Sequence, residues 1–286
     1  MPFDGFHEIA STLGFTEGPQ WHEGRLYVTS MSKGSVWVLD PDHPGVVLDE
    51  IDTGGGPNGL VLTAGGELFV AQNGAVSRPT RSTRPVRPGI QRIDRDGVVH
   101  DELVEGCESP NDLVIGPDGA VWFTDPGPYH VPPLEPSVRR WVPETGELTT
   151  VATGFRYPNG LAFSPAGDAL IVVDSLEHSL FRFDHADGVL GERTLLVDLL
   201  ASSPSGAAYP DGIEFDVHGR LWVAALEAGE LVVVDEAGEV AHRFNTGEGS
   251  RPTNVSFGGA DRLTAYATLS KGGRVVAAHL SEMGLA

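Results

Sequence analysis

One short pattern recurs six times along the chain, and its period constrains the fold more than any other feature. A polar residue, usually beside proline and glycine, precedes an apolar run, a turn and a second apolar run. The copies are "TEGPQWHEGRLYVTS" with Glu17, "PNGLVLTAGGELFVAQ" with Asn58, "SPNDLVIGPDGAVWFTDP" with Asn111, "PNGLAFSPAGDALIVVDS" with Asn159, "PDGIEFDVHGRLWVAAL" with Asp211 and "PTNVSFGGADRLTAYATL" with Asn254. Their polar residues lie 41, 53, 48, 52 and 43 positions apart. Repeats of about 40–50 residues that open on a short strand and a Gly-rich hairpin build β-propellers.

Each copy supplies further strands. After Asn159 the chain reads "LAFS", "ALIVVD", "LFRFD" and "TLLVDL", four short apolar runs with turn residues between them. No helical period of useful length interrupts the pattern. The expected fold is all-β: one six-bladed β-propeller of four-stranded antiparallel blades, a single domain over residues 1–286. The last copy runs out of chain after "RVVAAHL", one strand short. The N-terminal "FHEIAST" has strand character and is expected to complete that blade. Such a closure removes the most exposed sheet edges.

In a propeller the starts of the innermost strands ring one end of a central channel. Glu17, Asn58, Asn111, Asn159, Asp211 and Asn254 therefore converge on one small space. Hairpin arithmetic places second-strand ends at the same mouth. It pairs Asn111 with Asp125, Asn159 with Asp174, Glu17 with Ser30, Asn58 with Gln72, Asp211 with Ala225 and Asn254 with Thr268. Two long loops open there as well. Residues 73–89 carry four arginines, Arg78 and Arg81 among them, and residues 126–137 contain Tyr129 and His130.

Two carboxylates, Glu17 and Asp211, with the amide oxygens of Asn111 and Asn159, form an oxygen donor set for one hard divalent cation. Calcium suits it best, and zinc, manganese, magnesium or iron can occupy a mixed oxygen site. Without a cation the two carboxylates repel and raise each other's pKa. An Asx-type turn after proline explains Asn58 and Asn254 equally well. It does not explain a glutamate at the same register. Cys107 reads as a small buried filler. His22 and His218 fall in turns at the far end of the channel, and His178 lies near the mouth with no evident partner. Trp37, Trp122 and Trp222 read as packing between blades. No Gly-x-Ser-x-Gly elbow, His-Glu-x-x-His helix or phosphate loop is present.

Charge and composition exclude other classes. Forty acidic against 19 basic residues give a net charge of −21, a field that disfavours nucleic acid and anionic membrane as partners. One cysteine permits no internal disulfide and fits a reducing compartment. The start "MPFDGFHEIA" has neither a basic nor an apolar leader segment. No run approaches the roughly 18 apolar residues of a membrane span. A cytoplasmic protein is expected, and no feature of the sequence sets an oligomeric state.

The segments "FTEGPQW", "SPNDLVIGPDGAVWFTDP", "YPNGLAFSPAGDALIVVDS" and "YPDGIEFDVHGRLWVAA" together resemble the gluconolactonase and regucalcin (senescence marker protein) family, over nearly the whole chain. The resemblance implies a six-bladed propeller with one divalent metal in the channel, and a lactonase acting on sugar lactones or related cyclic esters. It implies metal ligands at Glu17, Asn159 and Asp211, with Asn111 at both metal and substrate. Asp211 would double as the base that activates water. Asp125 matches an acidic residue that some lactonase branches use near the metal. Ser109 stands where the regucalcin branch has an arginine, while Ser-Pro-Asn-Asp matches the bacterial gluconolactonase-like branch. The loop after Thr-Asp-Pro reads "GPYH", where that branch often has Pro-Tyr-Gly. The expected activity is metal-dependent lactone hydrolysis, with Arg78, Arg81, Tyr129 and His130 meeting the substrate. Two alternatives stand beside it. One is a different metal-assisted reaction on the same scaffold, such as ester or phosphotriester hydrolysis or an isomerisation. The other is a non-catalytic binding propeller with a structural metal.

Overall fold

The computed structural model describes residues 5–101, 103–129, 135–281, 283 and 285. Six antiparallel sheets follow one another along the chain as the blades of a propeller. Their inner strands are Thr16–His22, Pro57–Leu62, Leu113–Ile115, Pro158–Phe163, Pro210–Phe215 and Pro252–Gly258. Five blades have four strands, and the fourth adds a two-residue strand, Val189–Leu190, beside Ser179–Ala186. Among the described residues no helix is long and apolar enough to cross a membrane.

Burial follows radial position. The second strands Val121–Asp125 and Ala169–Asp174 are buried at every residue, because neighbouring blades cover both faces. That is why their sequences are nearly continuous apolar runs. Outer strands such as Val47–Asp52 are largely exposed and polar. The apolar core is therefore divided into wedges between blades. Trp122 and Trp222 fill two wedges completely buried. Their indole N–H groups donate to Asp118 at 3.2 Å and Asp216 at 2.9 Å, which removes the cost of a buried unpaired donor. Trp37 is only half-buried, with the Lys33 ammonium 4.6 Å from its ring centre.

The N-terminal strand His7–Ala10 pairs antiparallel with Arg274–His279, His7 opposite Ala277, and completes the sixth blade. Ile9 and Ala10 go into the core there. The ring is thus closed by a sheet to which both ends of the chain contribute.

The hairpin registers hold in the body of each blade but slip by one residue at the mouth in five of them. Leu161 faces Val172 as expected, yet Asp174 faces Pro158, not Asn159. Pro57 likewise faces Gln72 and Pro210 faces Ala225. In the first blade Glu17 faces Thr29, not Ser30. A β-bulge sits at this point in each, and in the second, fourth and fifth blades it falls on the Asn-Gly or Asp-Gly pair. A bulge inserts one unpaired residue and re-aims its side chain. In the sixth blade the slip falls nearer the mouth: Asn254 faces Thr268 as expected, and Pro252 faces Leu269.

Candidate active site

The six repeat residues are all buried, with relative exposures between 4% and 8%. Their backbones are pinned from the neighbouring blade. The Thr124 hydroxyl donates to the Asn159 carbonyl at 2.8 Å, the Ser175 hydroxyl to the Pro210 carbonyl at 2.6 Å, and the Thr253 hydroxyl to the Thr16 carbonyl at 2.8 Å. The inner strands crowd so closely that the next residue is usually glycine. A Cβ at Gly160 would stand 2.4 Å from the Asp211 carbonyl oxygen, and one at Gly212 would stand 2.1 Å from Asn254 Cγ.

The third blade breaks this rule with Asp112 at the glycine slot. Its carboxylate enters the channel and accepts a hydrogen bond from the Asn254 amide, 3.4 Å away in the opposite blade. Asp112 was not evident beforehand. Superposing the six copies shows it as an acid where four copies have glycine.

Glu17, Asn58, Asn111, Asn159 and Asp211 line one cavity of about 640 Å³ at the channel mouth. Burial raises the Glu17 carboxyl well above the usual range, and repulsion from Asp211 and Asp112 adds to it. Burial likewise raises Asp211, with Asp112 adding repulsion and the Asn159 amide opposing it by hydrogen bonding. Asp112 is pushed up to about 7, chiefly by burial. Glu214, farther along the Asp211 strand, is also raised to about 7 by burial. Glu17, Asp211 and Asp112 are thus linked by mutual repulsion, as Asp112 is with Glu214, and burial disfavours the charged form of each.

Three tyrosines form one wall. Tyr129 stacks edge-on against Tyr157 at 5.3 Å and hydrogen-bonds Tyr209. The Asn111 side chain lies beside the Tyr157 hydroxyl. Burial raises the phenols of Tyr157 and Tyr209 above their ordinary value, so both remain neutral donors. Tyr157 and Tyr209 each stand two residues before a ring residue, as Phe15 does in the first blade, and all three line the cavity. That offset was the available sequence signal for them. Tyr209 is held at φ 62°, a strained value for a bulky side chain.

The predicted loop residues divide. Arg78 lines the cavity with its guanidinium 4.0 Å from the Phe15 ring centre. Arg81 is not on the cavity wall; its backbone N–H donates to the Ser32 carbonyl at 2.8 Å and ties the loop down. Tyr129 lines the cavity and is 47% exposed. His130 lies outside the described residues.

Asp125 is not brought to the cavity. Its carboxylate accepts the backbone N–H groups of Glu108 at 3.1 Å and Ser109 at 2.7 Å, and pairs with Arg139 at 3.2 Å. Asp174 does the same for Arg156 and Tyr157, at 2.7 and 3.0 Å, and the Gln72 amide oxygen for Gly56, at 2.6 Å. One device therefore recurs: the last side chain of the second strand fastens the backbone just before the proline. The Cys107 thiol beside Asp125 is pushed up to about 12 by burial, which leaves it protonated and unreactive.

Among the described residues no cluster of three or more His, Cys, Asp and Glu side chains is arranged to hold a metal ion. The donors that converge are two carboxylates and asparagine amides, an all-oxygen set.

A family model described as the SMP-30/gluconolactonase/LRE-like region matches residues 15–271. A gluconolactonase from Zymomonas mobilis is 30% identical over 278 residues, covering 87% of this chain and 75% of that protein. A pentonolactonase from Haloferax volcanii is 27% identical over 261 residues, covering 90% and 81%. Among solved structures, a gluconolactonase from Xanthomonas campestris superposes with a TM-score of 0.78 at 26% identity, over 96% of this chain and 89% of that one. A calcium-binding regucalcin from Agrobacterium tumefaciens superposes with a TM-score of 0.79 at 19% identity, over 97% and 94%, a likeness of fold.

Proposed function

The chain belongs to the SMP-30/gluconolactonase/LRE-like family, and from that premise we propose that it hydrolyses a lactone with the help of one divalent cation at the channel mouth. The observation that carries this reading is the convergence of Glu17 and Asp211 with Asn111 and Asn159 in one cavity.

The residues fit a cation. Glu17 and Asp211 are desolvated and repel each other, so their ionised forms call for a positive charge between them. The neighbouring donors are hard oxygens, which suits calcium. Glu17, Asn159 and Asp211, with Asn111, would hold it. A bound divalent cation polarises a carbonyl oxygen and lowers the pKa of water.

The remaining work falls to side chains. Asp211, oriented by the Asn159 amide, would take the proton of the attacking water. The water oxygen bonds to the lactone carbonyl carbon, the ring C–O bond breaks, and the leaving alkoxide takes the proton back from Asp211 to give the open hydroxy acid. Tyr157, beside Asn111, would help to hold that side chain in place. Tyr129 and Arg78 would meet substrate hydroxyls. Asp125 would act at a distance, by holding the backbone that leads to Asn111.

The test follows proton release from five- and six-membered sugar lactones near neutral pH. Native, chelator-stripped and metal-restored protein would be compared. Turnover should vanish on stripping and return with one metal, calcium expected. Metal-loaded protein that leaves every lactone intact but hydrolyses an aryl ester or phosphotriester would assign the site to that reaction instead.

A further inference from the structure

The wall of this cavity carries three cations, Arg78, Arg251 and Lys271, in a chain of net charge −21. Among the described residues none of the three has a carboxylate within 4.0 Å, although acidic partners are abundant and Arg139 and Arg243 have them. Their positions are set by the fold. The Arg78 guanidinium rests over the Phe15 ring. Arg251 is held at φ 58°, and its carbonyl accepts the backbone N–H and the hydroxyl of Ser270 at 2.9 and 3.1 Å. The Lys271 N–H is bound to the Ser250 carbonyl at 3.2 Å, which brings both blade-six cations to one edge of the cavity. A left-handed conformation at an arginine is costly, and it persists where surrounding contacts enforce it. Arg251 lies near enough to Asp211 to favour its ionised form.

Charge around the cavity is therefore divided. The ring acids lie at the floor, the tyrosines on one side, and the cations at the rim. With a divalent cation offsetting Glu17 and Asp211, the wall keeps three positive charges against the single carboxylate of Glu227. A neutral polyhydroxylated ligand leaves those cations unpaired, whereas an anion satisfies them with charge-assisted hydrogen bonds.

Building on the lactone-hydrolysis reading, we propose that the preferred substrate is a lactone bearing an anionic substituent. Its ring carbonyl faces Asp211, and its anion is received by Arg251 and Lys271, with Arg78 on the other flank. These three are specificity-determining residues, not catalytic ones.

The test uses full-length, metal-loaded protein and two substrates with the same five-membered ring. One is an aldonolactone, and the other is the aldaric acid monolactone that differs only in a terminal carboxylate. We expect kcat/KM to favour the acidic lactone by about tenfold or more, the size of one charge-assisted hydrogen bond, and the preference to shrink as ionic strength rises. Lys271→Gln and Arg251→Gln should each bring the ratio toward one, while Arg251→Lys should retain most of it. Equal use of both lactones, or preference for the neutral one, overturns the inference and leaves lactone hydrolysis standing. Variants that depress both substrates alike, with the ratio unchanged, overturn it too. Failure to turn over either lactone overturns the hydrolysis reading, and this inference with it.

Discussion

In the proposed reaction two demands meet at Asp211. A buried carboxylate must be offset by positive charge, and a base that accepts a proton from water must be ionised. Exchanging it for asparagine keeps the shape and removes both functions. Asp211→Asn should weaken cation binding at least about 100-fold and abolish turnover, since a buried charge at a metal is worth several kcal/mol. Titration calorimetry with calcium measures the first and proton release the second. The metal-free variant should melt no lower than the metal-free parent, because the amide relieves the repulsion with Glu17. Glu214 offers a cleaner pH experiment. Burial raises it from an ordinary 4.5 to about 7 in the folded chain, while the unfolded chain is unaffected. The folded chain keeps its proton to higher pH, so stability present below pH 4.5 is lost as pH rises through 7. Glu214→Gln should therefore be more stable than the parent at pH 8, by on the order of 2 kcal/mol. The two should be equal at pH 4, as read by urea unfolding in chelator.

At the scale of the element, the sequence disclosed the repeat, the blade count, the strand that closes the ring and the channel-mouth position of Glu17, Asn111, Asn159 and Asp211. The apolar runs that announce these strands are also what bury them, so pattern and packing carry the same information. The register slip left no such trace. Counting outward from a hairpin turn cannot detect an extra residue at the open end, because the apolar alternation has already stopped there. The slip matters for Asp174, which faces Pro158 and fastens the backbone just before it. Arg251, Lys271 and Glu227 were hidden for another reason: a surface loop charge has no periodicity, and only the closed ring brings it to the cavity. The role of Asp125 can be checked directly. Asp125→Ala removes the acceptor for two backbone N–H groups and leaves Arg139 without its carboxylate, only the Gly106 carbonyl and Cys107 sulfur remaining. It should cost about 2–4 kcal/mol of stability, while calcium affinity of the folded protein stays within about threefold. Chemical denaturation and calorimetry on one preparation separate the two effects. Gly160→Ala should also destabilise, by about 1–3 kcal/mol, since the new methyl meets backbone rather than a movable side chain.

On the scale of the whole molecule, the site exists only when the ring is closed. Glu17 comes from the first blade, Asn159 from the fourth and Asp211 from the fifth, so neither blades one to three nor blades four to six alone contain the set. The strand His7–Ala10 maintains that closure by pairing with Arg274–His279. Deleting residues 1–11 bares this edge and uncovers the core around Ile9. The shortened protein should melt well below the parent, bind calcium weakly and elute partly as aggregates, as calorimetry and gel filtration would record. The offset between the ring residue and the side chain two places before it has a further consequence. In the first, fourth and fifth blades the ring residue and the aromatic side chain two places before it share one strand entrance, and both face the cavity. Variation at the outer position can redraw what a descendant of this chain accepts while its inner position, and hence its chemistry, stays the same. A lineage built this way diversifies by changing single residues at three strand entrances, with no need to invent a new loop or a new fold.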